Sequence, residues 1–214
     1  MLAVSNTSHP QLIRLTEGRT ADRAFGRVAP ITVYAVGSEI YGQGETSGTC
    51  YQIEFGAVRI CRLREDGRRQ IVAFHLPGEV FGFEPDDIHH FYAEAVSHTA
   101  LRSFRQASSG EASLELLKLT MRSMIRAQEH SLLLAGQSSF ERVATFLVDM
   151  MERQGGVAQV DLPMSRQDMA DYLGLTIETV SRTMTKLRSE GVIQLAGMRS
   201  IEVLKPAYLQ RLCR

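Results

Sequence analysis

Two helix beginnings separated by a single glycine constrain this chain most. Between Pro163 and Gly191 it reads PMSRQDMADYLGLTIETVSRTMTKLRSEG. Ser165 is placed as an N-cap, and Asp168, three residues on, completes a capping-box arrangement at the start of a helical pattern. Met169, Ala170 and Leu173 put apolar groups on one face. Gly174 supplies a residue able to take the left-handed backbone that ends a helix. Thr176 caps the next helix only two residues later, so the two helices must cross sharply. The stretch is a helix-turn-helix.

The second helix has two faces. Val180, Met184 and Leu187 recur at i, i+4, i+7 as an apolar stripe. The opposite stripe is Glu178, Ser181, Arg182 and Thr185. Arginine bonds guanine through two atoms, a carboxylate accepts from the cytosine amino group, and serine or threonine touches either base edge. These residues fall in the first two turns, where a recognition helix meets the major groove. Glu178, Ser181 and Arg182 are therefore the expected base contacts. Lys186 and Arg188, with Ser165 and Thr176 at the helix starts, are the expected phosphate contacts. The plain alternative is a solvated polar face on an ordinary helical hairpin. The two caps, the glycine turn and the Glu/Ser/Arg set together weigh against it.

With 214 residues the chain has room for two small domains. No run approaches the roughly 20 apolar residues of a membrane span, and the N-terminus lacks the charged-then-apolar layout of a signal peptide. A cytoplasmic protein is expected. The formal net charge of zero suits a specific binder better than a nonspecific nucleic-acid coat. Cys50, Cys61 and Cys213 form no CxxC pair and no zinc set. The first two, in strand-like surroundings, are expected to be reduced thiols. Cys213, beside the C-terminus, is expected to be accessible, and whether it is a redox handle depends on its thiol pKa.

Taken in order, residues 1–28 show no clean period and suggest a loosely docked arm. From Ile31 to Phe104, short runs rich in β-branched and aromatic residues (ITVYAV, CYQIEFG, AVRICRLR, RQIVAFHL and HFYAEAVSHTALRSF) alternate with glycine punctuation. EDGRR reads as a hairpin with Asp66-Gly67 at its turn. The last run is long enough for two strands with a turn near Ser97-His98. Such spacing predicts a jelly-roll barrel over 29–109. Residues 110–138 follow as a long helix with a seam of Leu114, Leu117, Met121, Met124, Gln128, Ser131 and Ala135. A seam of this kind pairs with its twin in a coiled coil, so the helix is expected to make a homodimer. In 139–214, Ser139 is expected to cap the helix FERVATFLVDMMERQ. VAQVDL, VIQLAG and SIEVL bracket the helix-turn-helix as short strands, making it winged. The predicted class is α+β: a jelly-roll β-barrel, a dimerisation helix and a winged helix-turn-helix.

An enzyme reading has little to stand on. His75, His89, His90 and His98 fall in the strand region, but His89 and His90 are adjacent and point to opposite faces of a strand. The PDDIHH setting reads as a surface loop, and no metal site is expected. There is no P-loop, dinucleotide fingerprint or nucleophile elbow. No catalytic residue and no cofactor are expected.

The order barrel, long helix, winged helix-turn-helix resembles the cAMP receptor protein/FNR superfamily of bacterial transcription regulators, from about Ile31 to the C-terminus. IYGQGE, CYQIEFGAVRI, EDGRRQIVAFHLPGEVFGFE, ERVATFLVDM and MSRQDMADYLGLTIETVSR carry the likeness. It is nearest to the FixK branch, activators of nitrogen-fixation and microaerobic respiration genes. Two departures matter. The arm before Cys50 has no cysteine, and three are fewer than the four an iron-sulfur cluster uses. Cyclic-nucleotide binders carry an Arg-Ser or Arg-Thr pair after a Gly-Glu turn. Here Gly78-Glu79 is followed by no arginine before Glu94, and Asp86 and Asp87 would repel a phosphate.

The resemblance therefore implies an effector-independent activator. It implies TTGA-N6-TCAA-like inverted repeats, read through an E-x-x-S-R set matched by Glu178, Ser181 and Arg182. It also makes the hairpin at Asp66, Gly67 and Arg68, and the loop from Gly155 to Asp161, expected contacts with RNA polymerase. The alternatives are a regulator sensing an unidentified small molecule in the barrel, or a metal-dependent barrel enzyme fused to a DNA-binding domain.

Overall fold

The computed structural model describes residues 30–63, 67, 69–105 and 114–213. The arm expected over 1–28, and Asp66 and Arg68 of the expected polymerase contact, lie outside the described residues.

The strand runs become β1 (Ile31–Tyr34), β2 (Glu39–Tyr41), β3 (Thr49–Phe55), β4 (Val58–Leu63), β5 (Arg69–His75), β6 (Val80–Phe81), β7 (Tyr92–Ala95) and β8 (Thr99–Arg105). The long run does hold two strands, β7 and β8. The short β2 and β6 carry too little periodicity to be recognised in the sequence. The strands form two four-stranded sheets, ordered β1-β8-β3-β6 and β2-β7-β4-β5. The domain is thus a jelly-roll-like pair of sheets rather than a closed barrel.

The interior between the sheets is filled from both sides by Tyr41, Ile53, Val58, Ile60, Phe81, Ala93 and Leu101. Aromatic rings stack within it. Tyr41 lies 5.8 Å from Tyr51 and 3.7 Å from His89 between centroids, and Tyr51 lies 5.4 Å from Phe81. Strand alternation sends Cys61, Ile71 and Tyr92 to the outer face of the second sheet, where they join the core of the C-terminal half.

The long helix α1 spans Leu114–Gly136, 23 residues, or roughly 34 Å at 1.5 Å per residue. Leu119 packs it beside Cys50, Val80 and Phe104. Arg142 closes the joint after it, donating from Nη2 to Leu134 O at 2.9 Å and from Nε to Gln137 O at 3.0 Å. Helix α2 covers Ser139–Arg153. Its cap is Ser138 rather than the expected Ser139. Ser138 Oγ accepts from Glu141 N at 3.4 Å, and Glu141 Oε2 accepts from Ser138 N at 2.7 Å, a reciprocal pair only that spacing allows. Strand β9 (Gln159–Asp161), helices α3 (Arg166–Leu173) and α4 (Ile177–Ser189), strands β10 (Ile193–Gly197) and β11 (Ser200–Val203), and helix α5 (Pro206–Arg211) complete the chain.

One apolar core runs from Ile71, Phe74 and Tyr92 of the β-domain through Phe146, Leu147 and Met150 of α2 to Leu173, Leu187 and Ile201. Among the described residues, no helix is long and apolar enough to cross a membrane.

PDDIHH is the exposed loop expected of it, except at His89. His89 is buried against Tyr41, with Nδ1 3.1 Å from Glu84 Oε1, whereas His90 is exposed with Nε2 3.1 Å from Asp86 Oδ2. Cys50 and Cys61 are fully buried. Cys213, expected to be accessible, is half-buried, and its thiol donates to Leu209 O at 3.3 Å.

Candidate nucleic-acid interface

The reading helix is built by its caps. Ser165 Oγ accepts from Asp168 N at 3.0 Å, while Asp168 Oδ2 accepts from Ser165 N at 3.1 Å and from Ser165 Oγ at 2.8 Å. Gly174 ends α3 at φ 62°, a backbone that a β-carbon would strain. Arg142 Nη1 donates to Leu173 O at 3.1 Å there. Thr176 Oγ1 then accepts from Thr179 N at 3.2 Å and starts α4. Ser165 and Thr176, expected at phosphates, are exposed, but each hydroxyl is already committed to its cap. What the two helix starts still offer an anion is the partial positive charge of their N-termini.

The rotation of α4 follows from its apolar stripe. Val180 and Leu187 are fully buried and Met184 nearly so, and Thr183 completes that side. Glu178, Ser181, Arg182, Thr185, Lys186 and Arg188 are all exposed. The Thr185 hydroxyl donates to Ser181 O at 2.9 Å. Hydrogen bonds from its own backbone amide and from Thr176 hold the Glu178 carboxyl below the usual range. It is therefore an ionised acceptor, as a cytosine amino group requires.

Lys186 and Arg188 differ in their surroundings. Lys186 Nζ lies 4.8 Å above the Phe140 ring and 3.9 Å from Glu190 Oε1. Arg188 has no ion pair among the described residues. Beside α4, β10 and β11 form the wing, with β9 as third strand. Met198 at its tip is wholly exposed, and Arg199 Nη1 ties the wing to the helix-turn-helix by donating to Pro163 O at 2.8 Å.

Behind the reading helix lies a contact the sequence did not disclose. Asp168, 4% exposed, presents Oδ1 to two arginines of the β-domain: Arg59 Nη1 on β4 at 2.9 Å and Arg69 Nη2 on β5 at 2.7 Å. Arg69 Nη2 also lies 3.2 Å from Asp171 Oδ2, and Arg59 Nε lies 3.2 Å from Glu94 Oε2 on β7. An arginine among the apolar residues of VRIC was the one available signal, and it named no partner.

The expected dimer seam is also in view. Leu114, Leu117, Met121 and Met124 are 46–65% exposed, with Ile125 and Leu132 beside them, and Gln128 and Ala135 are exposed too. Of the expected polymerase contacts, Gly67 is exposed at φ 77°, between strands β4 and β5 that pair antiparallel.

The chain matches the model of the Crp-like helix-turn-helix domain over 141–212 and that of the cyclic nucleotide-binding domain over 31–109. It is 54% identical over 183 residues to the nitrogen fixation regulation protein FixK of Rhizobium meliloti strain 1021, covering 86% of this chain and 87% of the relative. It is 36% identical to the transcriptional activatory protein AadR of Rhodopseudomonas palustris, over 83% of this chain and 80% of that one. The solved structure of FixK2 from Bradyrhizobium japonicum superposes with a TM-score of 0.82 at 40% identity, covering 88% of this chain and 98% of that one.

Proposed function

Because the chain belongs to the CRP/FNR family of transcription regulators, in its FixK branch and not among enzymes, we propose that it reads TTGA-N6-TCAA-like inverted repeats as a cytoplasmic dimer. In this reading it activates nitrogen-fixation or microaerobic genes without a small-molecule effector. One observation carries the proposal: Glu178, Ser181 and Arg182 stand exposed on one face of α4, held there by the buried Val180, Met184 and Leu187. Arg182 is assigned to guanine O6 and N7, Glu178 to a cytosine amino group, and Ser181 to the neighbouring thymine. Arg188 best fits a phosphate contact. Ser165 and Thr176 reach phosphates through the helix starts they cap rather than through their hydroxyls. The exposed stripe Leu114, Leu117, Met121, Met124, Gln128 and Ala135 is assigned to the dimer contact. The two-fold axis it creates sets half-sites about ten base pairs apart. Effector independence is supported by the rings of Tyr41, Tyr51 and Phe81 that fill the sheet interior. RNA polymerase is assigned to the Asp66-Gly67-Arg68 hairpin by family likeness.

The test is a binding titration, with no ligand added, against the inverted repeat and against repeats with the guanine replaced. Arg182→Ala should cost about 1–3 kcal/mol per half-site and relax the guanine preference. Full discrimination retained by Arg182→Ala would mean that the helix docks in another rotation.

A second reading, a small-molecule sensor, has one feature in its favour. An open-sided cavity of about 420 Å³ lies where the β-domain, α1 and α2 meet, lined by Gln52, Glu79, Arg122, Arg126, Asp149 and Arg153. Thermal shifts against cyclic nucleotides and other anions separate the two readings.

A further inference from the structure

The reading head and the β-domain are joined by a buried charge cluster as well as by apolar packing. Asp168 sits at the third position of α3, yet its carboxylate is gripped by arginines 99 and 109 residues earlier in the chain. Its side chain is 5% exposed, Arg59's 13% and Arg69's 26%. The two arginines come from neighbouring strands, and Glu94, on the strand paired with β4 on its other side, holds Arg59 in turn. Two arginines from adjacent strands therefore meet at one carboxylate oxygen, and Glu94 from a third strand braces them from behind.

A buried ion cluster adds little net stability compared with apolar groups of the same volume, and its best-attested role is to fix register. Apolar packing tolerates small slides. A carboxylate oxygen held by two guanidinium groups does not, because any shift strands a buried charge.

The location gives that register a meaning. The chain between α1 and α2 turns at Gly136 to Ser138, a short joint held by Arg142 through Leu134 O and Gln137 O. The Asp168 cluster joins α3 directly to the β-domain, bypassing that joint. Helix α4 follows α3 after Gly174, so the angle of the base-reading face is fixed by whatever fixes α3. In a dimer the two α4 helices must match two half-sites. Each base pair added between half-sites rotates one about 35° relative to the other.

We propose that Arg59 and Arg69 are positioning residues that set the spacing between half-sites, acting through Asp168 on the orientation of α3 and α4. The proposal rests on the reading of the chain as a dimeric binder of inverted repeats. It assigns the β-domain a role that needs no ligand: it is the platform against which the reading head is squared.

The test is binding of full-length protein to duplexes whose half-sites are separated by five, six, seven or eight base pairs, with the dimer checked by sedimentation. Asp168→Asn keeps an oxygen for the Ser165 amide but removes the charge that grips the arginines. Arg69→Gln alters the more exposed arginine. Wild type should fall about 30-fold in affinity when the spacer departs from six. Both variants should fall only about threefold, while losing about tenfold on the six-base-pair repeat. Affinity of Arg69→Gln for a duplex carrying a single half-site should stay unchanged, which a general loss of folding would not allow. Arg59→Lys, which keeps the charge and gives up the planar fork, replaces any variant that does not fold as a dimer and should relax spacing partway. Folded dimeric variants that keep the wild-type spacing profile overturn the proposal. A wild type with no spacer preference overturns the inverted-repeat reading itself, and the proposal with it.

Discussion

Arg153 of α2 closes a two-bond fork on Glu79 of the β-domain, with Nε 2.9 Å from Oε1 and Nη2 2.8 Å from Oε2. Arg126 of α1 reaches the same carboxylate, Nη1 to Oε1 at 2.9 Å, and His75 Nδ1 stands 3.4 Å from Oε2. Three parts of the chain meet there. Burial alone would raise the Glu79 pKa, but His75 and the Arg153 guanidinium outweigh it and hold the carboxyl well below its ordinary 4.5. A depressed carboxyl contributes stability that is present above its unfolded pKa and is lost as pH falls below it. Melting temperature should therefore drop as pH falls below about 4.5, and Glu79→Gln should flatten that drop while costing about 3 kcal/mol at neutral pH. Thermal melts of both proteins across pH check this. Parallel curves would remove Glu79 from the account.

The exposed stripe of α1 predicts the oligomer. Leu117 is 54% exposed and Met124 48% in the single chain. Leu117→Glu/Met124→Glu would place four charges in a two-fold seam, each costing several kcal/mol if unpaired. Sedimentation should show monomers, and binding to the inverted repeat should collapse. A dimer of unchanged stability would place the contact on another face.

Lys186 and Arg188 should differ in salt dependence. Arg188 is not in an ion pair among the described residues, so Arg188→Ala should lower the slope of log affinity against log salt by about one. Lys186 is already near Glu190, 3.9 Å away, and Lys186→Ala should lower the slope by less. Both should weaken all sequences alike. Titrations at several salt concentrations decide, and equal slopes would show that Glu190 releases Lys186 on DNA.

The three cysteines should be slow to react. Burial pushes the Cys50 thiol up to about 12 and the Cys61 thiol up to about 11, and it raises that of Cys213 as well. Little thiolate is present at pH 8, and only Cys213 is partly exposed. A chromogenic disulfide reagent should modify at most Cys213 in the native protein and all three after unfolding. Rapid native labelling of Cys213 would restore it as a redox handle.

Elements held by local chemistry were legible in the sequence. Ser165, Gly174 and Thr176 fix three helix ends through bonds within three or four residues, so their spacing tells the architecture. The exposed face of α4 followed from Val180, Met184 and Leu187, because burying one stripe sets the other. What escaped was set by distant partners. The sequence marks Asp168 as a capping residue, which it is, but its grip on Arg59 spans the whole fold. His89 lies in a loop, but nothing local announces that the Tyr41 ring buries it. Ser139 was displaced as cap because two adjacent serines compete, and Ser138 has Glu141 at the reciprocal distance. The strands β2 and β6 are too short to show alternation.

The aromatic filling between the two sheets bears on how much of the protein a cell must hold. With Tyr41, Tyr51, Phe81 and His89 stacked there, and no effector in the proposed function, the remaining variable is the number of chains. Where chains are too dilute to pair, the amount of dimer grows as the square of the total. A twofold rise in synthesis then gives about a fourfold rise in paired reading heads. Such a regulator converts a modest change in its own production into a sharper change at its targets, and it stops as promptly as its chains are degraded.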